Sequence, residues 1–125
     1  MRYAIPIAAM LMLSFAWSSQ ASAAGDAANG ATLFKQKCGL CHSSQAGQNR
    51  VGPSLFGVAG RKAGTVASYN YSDAMKDSGL TWDDATLDSY LAGPRAKVPG
   101  TKMTFAGFSN QSDRADVIAY LNTLK

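Results

Sequence analysis

The chain has 125 residues, with 12 Lys or Arg against 8 Asp or Glu, one His and a formal charge of +4. That length suits one domain and leaves no room for a second independent core. The 46% hydrophobic fraction is that of a globular protein rather than a disordered one, and the charge is too small to mark a nucleic-acid binder.

The N-terminus reads as an export signal, residues 1–24. Arg2 supplies the positive end, and Tyr3 to Trp17 is almost wholly apolar apart from Pro6 and Ser14. Ala21-Ser22-Ala23 and Ser22-Ala23-Ala24 both have the small-x-small pattern of a cleavage site. Cleavage after Ala23 or Ala24 leaves one domain, 25–125, in an oxidising compartment. The loss of Arg2 leaves eleven basic and eight acidic side chains, a charge of about +3. The apolar stretch is short against the roughly 20 residues of a membrane span, and an uncleaved anchor is the rival reading.

Asp26 is placed to cap a helix over Ala27–Cys38, with Ala27, Ala31, Phe34 and Cys38 on one face. Gly30 lies beside that face, where a glycine lets a second helix cross closely. The helix runs into Cys38-Gly39-Leu40-Cys41-His42, which holds both cysteines and the single His of the chain. C-x-x-C-H is the attachment site of a c-type haem. Two thiols three positions apart on a helical turn reach the two vinyl groups of one porphyrin, and the next residue offers imidazole to the iron. A thioredoxin-like pair would need a βαβ pattern, which is missing, and zinc would need about four ligands. A plain disulfide is the remaining alternative.

Residues 43–64 read as loop, punctuated by Gly47, Gly52, Pro53, Gly57, Gly60 and Gly64. So long a loop is uncommon in a compact domain unless it wraps something. Leu55, Phe56 and Val58 are its candidate packing residues, and the Pro53 carbonyl is a candidate acceptor for the His42 ring. A short helix from Ser72 to about Asp77 is closed by Gly79. Thr81 and Asp84 are spaced as a capping box for a helix over Asp84–Ala92, which carries Leu87, Tyr90 and Leu91 inward and stops at Gly93-Pro94. Pro99-Gly100 makes a turn before Met103, with Phe105 and Phe108 as apolar cover. The last helix starts near Asn110 or Ser112 and ends near Thr123, burying Val117, Tyr120, Leu121 and Leu124. The fold class is therefore all-α, three to five helices with long loops around one haem.

No second His exists for the sixth iron position, and Met is the usual alternative in an electron carrier. Met1, Met10 and Met12 fall in the leader. Met103, held by its turn, is the leading candidate, with Met75 or an open position as alternatives. Iron closed on both sides would exchange one electron with little movement, and a thioether and an apolar pocket both favour the ferrous form.

Read together, these segments resemble the class I cytochromes c, of the mitochondrial cytochrome c and bacterial cytochrome c2 type. The resemblance spans Gly25 to Lys125. It rests on Gly30-x-x-x-Phe34, Cys38-x-x-Cys41-His42, Gly52-Pro53-x-Leu55-x-Gly57, Gly60-Arg61-Lys62, Tyr71-Ser72, Trp82, Tyr90-Leu91-x-x-Pro94, Pro99-Gly100-Thr101-Lys102-Met103-x-Phe105 and Arg114-Ala115-Asp116-x-Ile118-Ala119-Tyr120-Leu121. It implies thioethers on Cys38 and Cys41 and axial ligands His42 and Met103. It puts the Pro53 carbonyl on the imidazole and makes Gly30 and Phe34 meet Tyr120 and Leu121. It also implies Arg61, Tyr71 and Trp82 around the haem propionates, Tyr90 toward the Met103 sulfur and Phe105 over the haem edge. The chain departs from mitochondrial members in carrying Met75 where they usually have Asn. A thioether cannot donate a hydrogen bond, so a drier polar network is expected. Ala96 and the uncharged Ser109-Asn110-Gln111 replace common lysines, and the leader favours the bacterial branch.

The expected function is that of a soluble, monomeric, periplasmic one-electron carrier with one covalent haem c. Its expected partners are acidic surfaces of membrane redox complexes: a bc1-type donor and an oxidase or photosynthetic reaction centre as acceptor. Lys35, Lys37, Arg95, Lys97 and Lys102 flank the motif and the Met103 turn, whereas Asp73, Asp77, Asp83, Asp84 and Asp88 cluster between them. Catalytic residues are not expected. A membrane-anchored carrier, a gas-binding sensor and a peroxidase-like enzyme are the alternatives.

Overall fold

The computed structural model describes residues 25–125, so the leader and its cleavage site lie outside the described residues. Among the described residues five α-helices follow one another: α1 (Ala27–Leu33), α2 (Asp73–Lys76), α3 (Asp84–Ala92), α4 (Pro94–Lys97) and α5 (Gln111–Leu121). The only β pairing among the described residues is an isolated antiparallel bridge between Lys62 and Thr81. The all-α expectation holds.

Asp26 caps α1 as expected, its carboxylate accepting from the Ala28 and Asn29 amides at 2.9 and 3.2 Å. The predicted helix over Ala27–Cys38 is continuous but not uniform. Its last five residues, Phe34–Cys38, wind as a π-helix, closed by the Gly39 amide on the Phe34 carbonyl at 2.8 Å. Such a widened turn is rare, and it is frequent where a helix must aim functional side chains. Periodicity in the sequence cannot distinguish it from an α-turn.

Three further expectations need correcting. Asp83, not Thr81, caps α3, accepting from the Thr86 amide at 2.8 Å. A carboxylate at 83 reaches that amide directly, and Thr81 is engaged in the bridge to Lys62. Gly93-Pro94 ends α3 but also starts α4, with proline at its first position, where a missing N–H costs nothing. Of the loop residues, Val58 is buried and Leu55 half-buried, whereas Phe56 stays exposed.

The terminal helices cross as expected. A Cβ on Gly30 would lie 1.9 Å from the Asp116 carbonyl oxygen and 2.9 Å from the Tyr120 Cβ. The Phe34 and Tyr120 rings meet beside it at 5.2 Å and 57°. Asp116 pins the entry to α1 through the Asp26 amide and the Asn29 side chain, both at 2.7 Å, and these bonds hold its carboxyl below the usual range. Arg114 ties α5 to α3 through Asp88 at 2.8 Å and to the Phe108 carbonyl at 2.9 Å. Val117, Ile118 and Leu121 are buried from α5, and Leu87, Tyr90 and Leu91 from α3. Between Gly60 and Trp82, paired amides at Gly60, Ala63 and Trp82 hold the central loop against the approach to α3.

Gly30→Ala is expected to force the crossing helices apart and cost about 2 kcal/mol or more. In denaturant unfolding of the haem-loaded protein the midpoint would fall with the slope unchanged.

Candidate haem site

The carbonyl of Cys38 accepts from both the Cys41 amide (3.0 Å) and the His42 amide (2.9 Å), so C-x-x-C-H closes one helical turn. This turn presents its side chains to a cavity of about 520 Å³. Cys38, Cys41, His42 and Met103 all line it, as do the resemblance-assigned Arg61, Tyr71, Trp82, Tyr90 and Phe105.

His42 is held by design of the loop behind it. Its Nδ1 lies 2.7 Å from the Pro53 carbonyl, as anticipated. A carbonyl only accepts, so Nδ1 carries the proton and Nε2 keeps the lone pair a metal needs. Burial pulls the His42 pKa down, partly offset by the Pro53 bond, which keeps the ring neutral. The Gly52 amide donates to the Cys41 carbonyl at 2.8 Å and the Leu55 amide to the Ser43 carbonyl at 2.9 Å, fixing this loop against the motif. Gly52 has no room for a side chain, since a Cβ there would lie 2.4 Å from His42 Cε1. The buried Ser43 and Ser54 are both hydrogen-bonded within the same loop.

Met103 arrives from the other segment. Pro99 and Gly100 form a turn closed by the Thr101 amide on the Val98 carbonyl at 3.0 Å, with Gly100 at φ +89°. The Thr101 hydroxyl accepts from the Met103 amide at 3.3 Å. The Tyr90 hydroxyl lies 3.6 Å from the Met103 sulfur, the contact the resemblance implied. Burial pushes the Tyr90 phenol up, so it stays a donor. Met75 is buried and lines the same cavity.

Burial pushes the Cys38 thiol up to about 11, with Cys41 adding to the effect. Arg61 donates to the Phe56 carbonyl at 2.9 Å and the Ser54 carbonyl at 3.3 Å, and no carboxylate among the described residues pairs with it. A partly buried guanidinium without a counter-charge, beside an apolar cavity walled by two thiols and an imidazole, fits a flat macrocycle with acidic substituents. Among the described residues no cluster of three or more His, Cys, Asp or Glu could hold a metal without one.

Several lining residues escaped the sequence reading. Leu40 and Val51 line the cavity yet are 80% and 76% exposed. Their signal was available: both are apolar residues in polar loop surroundings, directly beside the motif and Gly52-Pro53. Tyr69 and Thr104 also line it, and neither carried a pattern.

An all-α fold whose helices and loops wall an apolar cavity, with two thiols and an imidazole on a single turn of that wall, defines a c-type haem protein. The family model described as Cytochrome c matches residues 27–125. The chain is 54% identical over 116 residues to cytochrome c2 of Rhodomicrobium vannielii, covering 92% of each. It is 52% identical over 101 residues to cytochrome c of Euglena viridis, covering 81% of this chain and 99% of that protein. Cytochrome cH from Methylobacterium extorquens superposes with a TM-score of 0.74 at 52% identity, covering 79% of this chain and 99% of that one. The chain belongs to the cytochrome c family. It bears one haem c attached through the cysteine pair, and it is a one-electron carrier rather than an enzyme.

Gly52→Ala is expected to displace the imidazole from Pro53. Exchange of the His42 Nδ1 proton, followed by NMR on the haem-loaded protein, would quicken by about tenfold.

Proposed function

We propose that Cys38 and Cys41 form the thioethers, that His42 and Met103 are the axial ligands, and that the protein carries electrons in the bacterial periplasm between membrane redox complexes with acidic docking surfaces. The observation that carries this reading is the contact between the His42 ring and the Pro53 carbonyl. With Nδ1–H given to Pro53 at 2.7 Å, its free nitrogen serves the cavity that also receives Met103. Residues 1–24 act as the cleaved leader. The family match beginning at residue 27 supports that boundary.

When bound, the haem supplies an iron that gains or loses one electron. The chain's own residues do the rest. Pro53 and Gly52 keep the imidazole in one orientation, and Tyr90 and Thr101 keep the thioether in one place, so neither ligand has to move when the charge changes. The apolar wall, including Trp82, Leu87, Leu91 and Met75, excludes water and disfavours the extra ferric charge. Met75 in place of a hydrogen-bonding side chain keeps this region drier.

Encounter with a partner is governed by the cavity's edge. Lys37 and Lys102 line it together with the exposed Leu40 and Val51, and Lys35, Arg95 and Lys97 are exposed as well. The opposing acidic group is weaker than its composition implies. Asp73 is paired with Lys76 at 2.9 Å, and Asp88 with Arg114 at 2.8 Å.

Optical spectroscopy tests the ligand assignment. The ferric protein is expected to show a weak sulfur-to-iron band near roughly 695 nm and no CO binding when reduced. Met103→Ala would abolish the band, open the iron to CO and lower the potential, whereas an unchanged spectrum would mean another residue is bound. Stopped-flow reduction by an acidic partner protein is expected to slow as ionic strength rises. A rate indifferent to salt would remove the docking argument.

A further inference from the structure

The two segments that bear the axial ligands do not hold each other. No hydrogen bond among the described residues joins the stretch from His42 to Leu55 directly to the stretch from Val98 to Phe105. We infer that Tyr69 is the positioning residue that couples them, a conclusion that rests on the assignment of His42 and Met103 as ligands.

Tyr69 faces both segments. Its hydroxyl donates to the Val51 carbonyl at 2.9 Å, and Val51 immediately precedes the Gly52-Pro53 pair that holds the imidazole. On the other side the Lys102 ammonium sits 4.8 Å from the centre of the Tyr69 ring and donates to the carbonyl of Asn70. Lys102 immediately precedes Met103. The loop around Tyr69 is itself braced. Asn49 donates to the Ala67 carbonyl at 3.3 Å, adding a second tie on the His42 side. The Tyr71 hydroxyl accepts from the Val66 amide at 3.1 Å, and the Tyr71 ring meets Tyr69 edge-on at 4.8 Å and 77°. Ser68, the one non-glycine residue at positive φ (62°) among the described residues, turns the chain just before Tyr69. Tyr69 lines the cavity with both ligands, so a ring braced on one ligand segment limits how far the other swings away.

This arrangement adds specific contacts of ordinary strength, a neutral hydrogen bond and a cation–π contact, at a place where a small opening has a large consequence. An external ligand reaches the iron only when the Met103 segment has swung out. Its apparent affinity is the intrinsic one multiplied by the fraction of open molecules. Loosening the brace raises that fraction without requiring the protein to unfold.

The test is imidazole binding to the ferric, haem-loaded protein, with the band near roughly 695 nm reporting Met103. Tyr69→Ala is expected to raise the apparent imidazole affinity by about tenfold. Tyr69→Phe keeps the ring under Lys102 but loses the bond to Val51, and is expected to raise it by about threefold. Lys102→Ala is expected to raise the affinity in the parent and to add less in the Tyr69→Ala background, because there its contact with the Tyr69 ring is already gone and only its bond to the Asn70 carbonyl remains to be lost. If Tyr69→Ala does not mature, Tyr69→Phe and Lys102→Ala carry the test. A residue that served only global stability would lower the denaturation midpoint and leave imidazole affinity unchanged, and that result would overturn the inference. Strictly additive effects of Tyr69→Ala and Lys102→Ala would overturn it too. A parent protein lacking the band would instead show that the ligand assignment itself has failed.

Discussion

The side chains of this protein line an apolar cavity that they do not themselves fill, and the fold is organised around that constraint. A domain of about 100 residues buries too small a share of its surface to be generous with core. Here the core residues Trp82, Leu87, Tyr90, Leu91 and Val58 also line the space the haem takes. The macrocycle is therefore a structural element as well as the redox centre. The crossing of α1 and α5 is the most extensive helix–helix junction among the described residues, and it stands directly behind the attachment turn.

That division explains how the loops are built. The stretch from Ser43 to Gly64 has no regular structure, yet its backbone is held by Gly52 on Cys41, Leu55 on Ser43, Gly57 on Leu124 and Arg61 on two carbonyls. Each tie sets a wall of the cavity rather than a layer of a core. The same holds for the turn at Pro99-Gly100, whose geometry serves to deliver a single sulfur atom. Stiffness at both ends of the cavity is what a carrier of single electrons needs, since any rearrangement on changing charge would slow transfer.

Much of this was legible in the residues. Capping by Asp26, the inward stripe of α3, the close approach at Gly30 and the Pro53 acceptor all follow from local chemistry that operates over a few positions, whereas of the stripe read for α5 Val117 and Leu121 are buried and Tyr120 and Leu124 only half-buried. What stayed hidden depends on distance in space. Periodicity does not separate a π-turn from an α-turn at Phe34–Cys38, and a Thr at 81 resembles a cap until its bridge to Lys62 is seen. Phe56 carries the composition of a core residue, but the loop's path leaves it outside. Tyr69 has no sequence pattern whatever, because its partners are 18 and 33 residues away at Val51 and Lys102. The charge distribution was legible only in outline for a related reason, since composition counts Asp88 as acidic surface while Arg114, 26 positions away, pairs with it.

The π-wound end of the first helix has a consequence for how this sequence tolerates change. Removing one residue between Phe34 and Cys38 would let the ladder return to regular α-helical bonds, a locally favourable repair. It would also rotate everything downstream by about 100° about the helix axis. Both thiols and the imidazole would then face away from the loops that receive them. The winding preferred by the backbone and the winding demanded by the cavity differ by one position, and the chain keeps the second. Length in this stretch is accordingly less negotiable than side-chain identity: an exposed Gln36 is open to replacement, but its place in the count is not.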